Sequence, residues 1–520
     1  MKSAPFNPLF KIFLKPAQRL NFSRRGMQDF YRLDFDHIDN MLREKPSHFW
    51  EENGEKMAIK LFREASRRVP AYKDFLLKNN VNPRKIKTIS DFKLLPIVDK
   101  KNYLRAYPVK QLCWDGKIET NTLFSVSSGS SGTPFFWPRG DNLELETSIT
   151  HGLILKKIFA ADQKTTLFID TFSMGIYIAG IVILNSALRA SQTGMPITIM
   201  APGVEIDDVL RVVRELAPNY EQVILAGYPP FVKDIIDAGE RTGVDWKSIN
   251  VKFLFAAENF SENFRDYMFQ KTGVTDLTNS SCNIYGSADA SILSHETPLT
   301  ISLRRAAQNR PALFTKLFGD ISYTPTFTQY NPILKYFEEV DGELIFSTYG
   351  GIPLIRYNIH DSGKIIGFNE IYPLLGEISE GKIDPWKLPF LYVLGKSDLT
   401  ISFYGVKIYP ENIRTGLEQS EAASLASGKF TMASLFQPDQ TPYWEINVEL
   451  KEGIEPTAEA HQKIFGAVIL ALARNNLEFG RLKAAIAERA NPVVTLFHKG
   501  DPKYFDVRSV KQRWSKKPSP

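Results

Sequence analysis

The sequence contains very little cysteine: Cys113 and Cys282 are the two cysteines among its 520 residues. Two cysteines cannot form a disulfide scaffold, and they leave no zinc site built from cysteine ligands. Such a low cysteine content is typical of proteins in a reducing compartment, and we therefore expect a cytoplasmic location.

Long uncharged apolar runs are also scarce. The apolar segment at residues 8–15 is short and interrupted by lysines, so a cleavable signal peptide is not predicted. A peripheral helix that touches a membrane surface is an alternative that the sequence leaves open for this segment. Residues 171–188 carry no charge, but two glycines and an asparagine interrupt them, which favours a buried core helix over a transmembrane segment.

The chain has no strong excess of charge of either sign. Its 64 Lys and Arg against 58 Asp and Glu give a net charge of +6, part of which lies in the two tails. No dense basic stripe with interleaved aromatic residues occurs, so nucleic acid is not a predicted partner. The modest positive field would favour an anionic small substrate. A length of 520 residues predicts two or more domains.

Apolar periodicity separates a helical lead, about residues 1–120, from an α/β region. Within the lead, residues 45–110 have apolar positions at three-to-four spacing. Beyond it, short apolar runs alternate with amphipathic stretches, which is the pattern of α/β layers. The predicted strands are Thr166–Ile169, Pro196–Met200, Gln222–Ala226, Val251–Ala256 and Glu343–Ser347, and the predicted helices are Ile206–Leu216, Pro230–Thr242 and Ser261–Thr272.

The pattern changes near residue 394. A strand is predicted at Thr400–Phe403, a turn at Tyr404-Gly405, and a helix from Pro410, because proline suits the first helical turn. Further predicted elements are the strand Trp444–Leu450, the helix Thr457–Asn475 and the strand Pro492–Phe497. We therefore predict a large multilayer α/β domain over residues 1–394 and a small, mobile α+β domain over residues 395–520.

The most informative segment is a loop rich in serine and glycine. Seven of the eight residues of Ser127-Ser128-Gly129-Ser130-Ser131-Gly132-Thr133-Pro134 are Ser, Gly or Thr. Glycines let the backbone approach a ligand closely, and exposed N–H groups and hydroxyls bind anions such as a polyphosphate. The loop is not of the Walker type, since no Gly-Lys-Ser/Thr closes it. A flexible linker is the alternative, but a strand-like run precedes the loop and bulky residues follow it.

Four further segments follow this loop in order. They are Phe255-Ala256-Ala257-Glu258, Tyr285-Gly286-Ser287-Ala288-Asp289, the run from Pro353 to Gly363 that contains Asp361, and Gly395-Lys396-Ser397-Asp398 with the run from Tyr404 to Ile413. Together the five segments resemble the adenylate-forming (acyl-CoA synthetase) superfamily, specifically its phenylacetate–CoA ligase and coenzyme F390 synthetase-like branch. The helical lead is also similar to this branch, so the resemblance covers most of the chain.

The resemblance implies an ATP site. The loop from Ser127 to Thr133 would hold the β- and γ-phosphates, and Glu258 would line the adenine and substrate side. Tyr285 and Gly286 would pack near the adenine. Asp361 would accept both ribose hydroxyls, because each oxygen of a carboxylate can take one O–H of a vicinal diol. The neighbouring His360 is predicted to pack or to hydrogen-bond rather than to act as a base.

The sequence departs from the family pattern at several positions. Asp289 stands where the family has a glutamate that helps to hold Mg²⁺, and its reach is one methylene shorter. Lys396 replaces an arginine of the hinge motif, which keeps the charge but loses the bidentate fork. Asp398 falls on the hinge position itself. Lys396 and Lys407, both in this motif, are expected to contact the nucleotide.

Members of the family also carry a lysine near the C-terminus that bridges the carboxylate and the α-phosphate during adenylation. Its usual setting is not intact in this sequence. The candidates are Lys499, Lys503 and Lys511, of which Lys511 is favoured and Lys503 comes second. A solvated basic tail is the alternative.

The resemblance implies an AMP-forming acid–thiol ligase that uses ATP, Mg²⁺ and coenzyme A. A carboxylic acid would form an acyl-adenylate and then pass to a thiol, most simply that of coenzyme A, while the small domain swings about Asp398. The alternatives are transfer to a carrier protein or an amine, and a nucleotide-binding module that has lost turnover. A homodimer is compatible with the resemblance. Candidates for the lining of an acyl pocket, with ordinary core packing as the alternative, are Phe172, Tyr177, Tyr228 and Phe231.

Overall fold

The computed structural model describes residues 30–505 except 32, 121, 128–134, 176–177, 320, 322–323, 379–383, 397–399 and 502. The α-helices are α1 Phe35–Glu44, α2 Ser47–Arg68, α3 Pro70–Lys78, α4 Ile89–Phe92, α5 Val109–Leu112, α6 Asp141–Leu153, α7 Ile178–Gln192, α8 Ile206–Leu216, α9 Pro229–Arg241, α10 Glu262–Thr272, α11 Pro298–Gln308, α12 Pro311–Phe318, α13 Phe368–Ile371, α14 Pro410–Leu417, α15 Ser420–Leu425, α16 Ala458–Asn475 and α17 Leu477–Ile486. The strands are β1 Phe124–Ser127, β2 Phe135–Pro138, β3 Thr166–Asp170, β4 Ile197–Met200, β5 Gln222–Gly227, β6 Val251–Ala256, β7 Ser281–Ser287, β8 Ser291–His295, β9 Thr326–Gln329, β10 Tyr336–Val340, β11 Glu343–Thr348, β12 Leu354–Ile366, β13 Phe390–Lys396, β14 Ile401–Phe403, β15 Val406–Ile408, β16 Ala426–Phe436, β17 Pro442–Leu450 and β18 Val493–Phe497.

An eleven-stranded sheet forms the centre of the described structure. Its strand order is β10-β11-β12-β13-β9-β8-β7-β6-β5-β3-β4. The strands β4, β3, β5, β6 and β7 are parallel, and the pairings from β7 across to β10 are antiparallel. The parallel half therefore brings the carboxyl ends of its strands to one edge, where ligands bind in open α/β sheets.

The parallel strands are buried on both faces because helices cover each side. Alternate side chains of a strand point to opposite faces. Leu167, Val223 and Phe253 accordingly enter one core with helices α8, α9 and α10. Their neighbours Phe168, Ile224 and Leu254 enter a second core with α7 and the π-helical turn that continues α6. This alternation explains why these strands are nearly continuous apolar runs in the sequence.

Local signals at the helix ends agree with the observed bounds. Pro229 and Pro410 occupy the first turns of α9 and α14, where a missing N–H is tolerated. The Ser261 hydroxyl accepts the N–H of Phe264 and caps α10, which ends at Gly273 with a φ of +69°. The sequence-based predictions of these helices were therefore accurate to about a residue.

The C-terminal part, after β13, forms a compact α+β arrangement. The short hairpin β14–β15 comes first. It is followed by a three-stranded sheet in which β16 and β17 are antiparallel and β17 and β18 are parallel. The helices α14 to α17 pack against one another and on this sheet, as the α+β prediction requires.

The uncharged segment at residues 171–188 does not form a single helix. The helix α7 begins at Ile178 and continues past the charged Arg189 to Gln192, while residues 171–175 are non-helical. Buried side chains of α7 pack into an apolar core, as predicted. None of the helices that the structure describes combines the length and the apolar character needed to cross a membrane. Cys113 and Cys282 are both free and buried.

Candidate active site

One cleft of about 570 Å³ lies at the carboxyl edge of the parallel strands. It is bordered by the hairpin β1–β2, by strands β7 and β12, and by the C-terminal hairpin β14–β15. Seven of the residues that were predicted to bind nucleotide or metal line this cleft: Ser127, Glu258, Tyr285, Gly286, Asp289, Asp361 and Lys407. The structure thus brings residues from five separated sequence segments to one place.

The side chains of Tyr285 and Asp361 meet in this cleft. The Tyr285 hydroxyl donates a hydrogen bond to Oδ2 of Asp361 at 2.5 Å. Burial, with the Asp361 carboxylate as the second cause, raises the pKa of Tyr285 well above its ordinary value, so the phenol stays protonated and remains a donor. Tyr285 therefore fixes the orientation of a carboxylate that points into the cleft.

Asp289 occupies the turn between β7 and β8. Its Oδ2 accepts the hydroxyl of Tyr357 at 2.7 Å and lies 3.5 Å from Nζ of Lys100. Mg²⁺ takes near-octahedral oxygen ligands and usually keeps water and substrate phosphates among them. One buried carboxylate would therefore suit a metal that arrives with the nucleotide, and Lys100 would compete with such a metal for Asp289. The described residues contain no cluster of three or more metal-binding side chains.

Glu258 connects the large sheet to the C-terminal hairpin. It follows β6, and its Oε1 accepts the backbone N–H of Gly405. Burial raises the pKa of Glu258 to about 7, although the Gly405 N–H and the Ser402 side chain act in the opposite direction. Glu258 is therefore a carboxyl group that titrates near neutral pH at the contact between the two parts of the chain.

The hairpin β14–β15 forms one wall of the cleft. Gly405, in its turn, has a φ of +76°, and a Cβ at this position would lie 2.6 Å from Cε1 of Tyr228. Lys407 faces the cleft from β15, and its carbonyl accepts the side-chain amide of Asn476 at 2.8 Å. The close approach of Gly405 to Tyr228 gives this glycine a packing reason in addition to its turn conformation.

His360 lines the cleft beside Asp361 but is engaged by acidic neighbours. Its Nδ1 lies 3.3 Å from Oε1 of Glu343, and its Nε2 lies 3.8 Å from Oδ2 of Asp99. These contacts agree with the hydrogen-bonding role that the sequence predicted for it.

Several predicted residues fall outside this description. The loop residues Ser128, Gly129, Ser130, Ser131, Gly132 and Thr133, the hinge residue Asp398 and the favoured lysine Lys511 lie outside the described residues. Lys396 is described through its backbone, which pairs with Asp361 across β12 and β13. Lys503 is described and exposed, with Nζ 5.1 Å from the ring centre of Tyr504, and it does not line the cleft.

Among the aromatic candidates for an acyl pocket, Tyr228 lines the cleft. Phe172 packs edge-on against Tyr228 at 4.8 Å, and Phe231 belongs to the core beneath α9, so neither forms part of the lining. Tyr177 lies outside the described residues. Phe172 and Phe231 are therefore core residues, in agreement with the alternative of ordinary core packing.

The polar residues of the cleft that sequence reasoning missed include Lys100, Arg139 and His151. Arg139 directly follows β2, and His151 lies near the end of α6. Neither belongs to a recognisable motif, and an arginine or histidine in an amphipathic stretch is normally a surface residue. The one signal present in the sequence is that Arg139 closely follows the serine- and glycine-rich loop.

No protein-family model matches the sequence, and no curated protein matches it. Solved structures do match the fold. A 2-hydroxyisobutyryl-CoA ligase in complex with 2-HIB-AMP and CoA, in the thioesterification state, superposes with a TM-score of 0.63 at 15% identity, over 92% of this chain and 91% of that chain. In its postadenylation state with 2-HIB-AMP the same ligase gives a TM-score of 0.52 at 13% identity, over 92% and 90%. An open conformation with 2-HIB-AMP and CoA gives 0.50 at 14% identity, over 89% and 91%. The chain therefore has the two-domain α/β fold of these adenylate-forming acyl-CoA ligases.

Proposed function

We propose that this protein activates a carboxylic acid with ATP, forms an acyl-adenylate, and transfers the acyl group to the thiol of coenzyme A. The observation that carries this proposal is the shared cleft, in which Ser127, Tyr285 and Asp361 converge although up to 234 residues separate them. A nucleotide site needs a loop that binds the phosphates and a group that binds the ribose hydroxyls, and a glycine-rich anion loop and a carboxylate can supply these two functions. The complexes of similar fold contain an acyl-AMP and CoA, which supports the same chemistry.

The residues of the cleft suggest a division of roles. Asp361, held by Tyr285, would accept the ribose hydroxyls. The loop from Ser127 to Thr133 would bind the phosphates, and Asp289 would contact the Mg²⁺ that accompanies ATP. Attack of the acid on the α-phosphate spreads charge over the non-bridging oxygens, so catalysis depends mainly on positioning and on fixed positive groups. The described cations that line the cleft are Lys100, Lys101, Arg139 and Lys407.

The position of the C-terminal part supports a second step at the same site. Gly405 lies beside Tyr228 and Glu258, and Lys407 lines the same cleft. The superposition has a higher TM-score with the thioesterification state than with the postadenylation state. We propose that rotation about Asp398 exchanges this hairpin for the terminal lysine, Lys511 or Lys503, during adenylation. The large domain would comprise residues 1–394 and the mobile domain residues 395–520.

One observation favours a second candidate, a nucleotide-binding module without turnover. The ammonium group of Lys100 lies 3.5 Å from the carboxylate expected to contact Mg²⁺. If Lys100 keeps that position when ATP binds, a metal could not reach Asp289. Nucleotide binding through Asp361 would then persist without adenylation.

A library of carboxylic acids, screened for pyrophosphate release with ATP and Mg²⁺, separates the two candidates. We expect at least one acid to give release above that of Asp361→Ala, and coenzyme A to accept the acyl group. Comparison of free coenzyme A with a holo-carrier protein and with amines identifies the acceptor. ATP binding without acid-dependent release for any acid would favour the binding module.

A further inference from the structure

The cleft contains two buried polar side chains that the proposed chemistry does not use. Arg139 and His151 are 0% and 2% exposed, and both line the cleft. Apolar side chains of α7, β7 and β8 line it as well, namely Val182, Ile183, Ile284 and Ile292. A polar pair among apolar walls is the usual composition of a pocket that selects an organic ligand.

Arg139 offers hydrogen-bond donors to the cleft. Its Nε donates to Oε1 of Glu144, which balances the charge of the guanidinium. Its Nη1 and Nη2 are buried and have no hydrogen-bond partner among the described residues. A buried donor without a partner is unfavourable, so such a group calls for a partner supplied by a ligand.

His151 offers an acceptor. Its Nδ1 lies 3.1 Å from the carbonyl oxygen of Thr147, one helical turn earlier, and a carbonyl can only accept, so Nδ1 carries the proton. Its Nε2 is buried and has no partner in the described part of the chain. Burial, with smaller contributions from His295 and Arg139, lowers the pKa of His151 to about 4, so the ring is neutral and Nε2 keeps its lone pair.

Arg139 follows the end of the hairpin β1–β2 that is opposite to the phosphate loop in the strand register. In the hairpin β1–β2, Ser127 pairs with Phe135 next to the loop, and Phe124 pairs with Pro138 at the far end. Arg139 comes after Pro138, and four residues of a strand span about 13 Å. The guanidinium pairs with Glu144 of α6, and its charge acts on His151 of the same helix, so the two side chains lie near each other.

We propose that Arg139 and His151 together recognise a hydroxyl group on the acyl chain of the substrate, so that the protein activates a hydroxylated carboxylic acid. This inference rests on the proposed function. The hydroxyl oxygen would accept from Nη of Arg139, and its hydrogen would be donated to Nε2 of His151. A second carboxylate fits less well, because Glu144 already neutralises Arg139 and an ionised carboxylate has no hydrogen to donate to His151.

The wild-type protein tests this proposal through its choice of substrate. Matched sets of short, medium and long acids would be assayed for pyrophosphate release, each as the unsubstituted, the hydroxylated and the dicarboxylic acid. We expect one hydroxylated acid to exceed its unsubstituted and dicarboxylic counterparts in kcat/KM by about tenfold to a hundredfold, because a hydrogen bond to a charged group contributes about 1.5–3 kcal/mol. Equal or better use of an unsubstituted acid or a dicarboxylic acid would overturn the proposal while leaving the ligase function intact.

Variants locate the effect at these two residues. His151→Leu removes the acceptor and should abolish most of the preference for the hydroxylated acid, while His151→Gln, which keeps a carbonyl acceptor, should restore part of it. The matched control is His295→Leu: His295 is also buried, hydrogen-bonds to a carbonyl at 2.7 Å, and does not line the cleft. Its selectivity should match that of the wild type.

Arg139→Met should lose the preference in the same way, provided that its circular dichroism and thermal unfolding show a folded protein. Calorimetric titration of the hydroxylated acid in the presence of ATP gives a readout independent of turnover. Retained selectivity in both His151→Leu and Arg139→Met would overturn the assignment. Absence of pyrophosphate release with every acid would instead count against the proposed function.

Discussion

At the scale of single residues, the cleft combines positions that the sequence identified with positions that it could not. Asp361 and Tyr285 were predicted from motifs, and their side chains meet at 2.5 Å. Arg139 and His151 were missed because their significance lies in buried atoms that have no hydrogen-bond partner among the described residues, which no local pattern records. The contact of Lys100 with Asp289 was missed for a similar reason, since it joins segments 189 residues apart.

Asp361→Asn tests the diol-binding role. Asparagine keeps the size of the side chain but replaces one acceptor oxygen with a donor, which cannot receive a ribose hydroxyl. We expect kcat/KM for ATP to fall by about tenfold to a hundredfold, as for the loss of a hydrogen bond to a charged group. Tyr285→Phe removes only the group that orients Asp361 and should cost less. The assay is pyrophosphate release at varied ATP concentration. A kcat/KM for ATP that is the same in Asp361→Asn as in the wild type would contradict this role.

Glu258 should make stability depend on pH. Its pKa is raised from 4.5 to about 7 in the folded protein, so between these values the folded state binds more protons than the unfolded state. The stabilisation is fully present below pH 4.5 and is lost as the pH rises through 7. Glu258→Gln cannot ionise, and its melting temperature relative to the wild type should rise between about pH 5 and about pH 8. The exposed Glu205→Gln serves as control, and parallel curves for wild type and Glu258→Gln would refute the assignment.

At the scale of elements, the order of strands and helices could be predicted where the pattern was simple. The largely buried parallel strands β3, β5 and β6 are nearly continuous apolar runs, and their predicted ends fall within about a residue of those observed. Most of the antiparallel half was not predicted: β9 and β12 mix polar and apolar residues, and β13 pairs with β9 from about 60 residues away in the chain. The hairpin β14–β15 was predicted as a strand and a turn, but its insertion beside Tyr228 depends on tertiary packing.

Gly405→Ala tests the role of this hairpin. The added methyl would combine the strain of a positive φ, about 1–2 kcal/mol, with a clash against the Tyr228 ring. We expect the thiol-transfer step to slow by at least about tenfold while acid-dependent pyrophosphate release changes little. Gly453→Ala is the matched control, because Gly453 has a φ of +78° and a methyl group added there would meet nothing within 4 Å. Equal effects of the two substitutions would show that strain alone, and not docking, matters.

At the scale of the whole molecule, the two parts of the chain share an apolar core and a polar contact. One apolar cluster contains Phe253 of the large sheet and Trp444 of the C-terminal part. At its edge, Nη2 of Arg489 lies 2.7 Å from both carboxylate oxygens of Asp234 on α9, and the Tyr404 hydroxyl donates to Asp234 at 2.9 Å. The change of pattern near residue 394 predicts two domains, and this division stays a prediction, whereas the packing of the C-terminal part on the large sheet could not be predicted from the sequence.

Asp234→Asn should weaken this docked arrangement. Arg489 is half exposed, so the ion pair contributes at most about 1 kcal/mol, and thiol transfer should slow by up to about fivefold and become less sensitive to salt. Asp208→Asn is the control, since the ion pair of Asp208 with Arg211 lies within the helix α8 and does not join the two parts of the chain. Stopped-flow measurement of the transfer step at low and high salt checks this prediction, and identical salt dependence in wild type and Asp234→Asn would contradict it.

The path of an oxygen atom tests the central claim of acyl-adenylate chemistry most directly. A carboxylic acid that supports pyrophosphate release would be labelled with ¹⁸O in its carboxylate and incubated with ATP, Mg²⁺ and coenzyme A. If the carboxylate attacks the α-phosphate and the thiol then attacks the acyl carbon, one labelled oxygen remains on phosphorus and mass spectrometry finds it in AMP. Unlabelled AMP, or label in orthophosphate, would contradict the account.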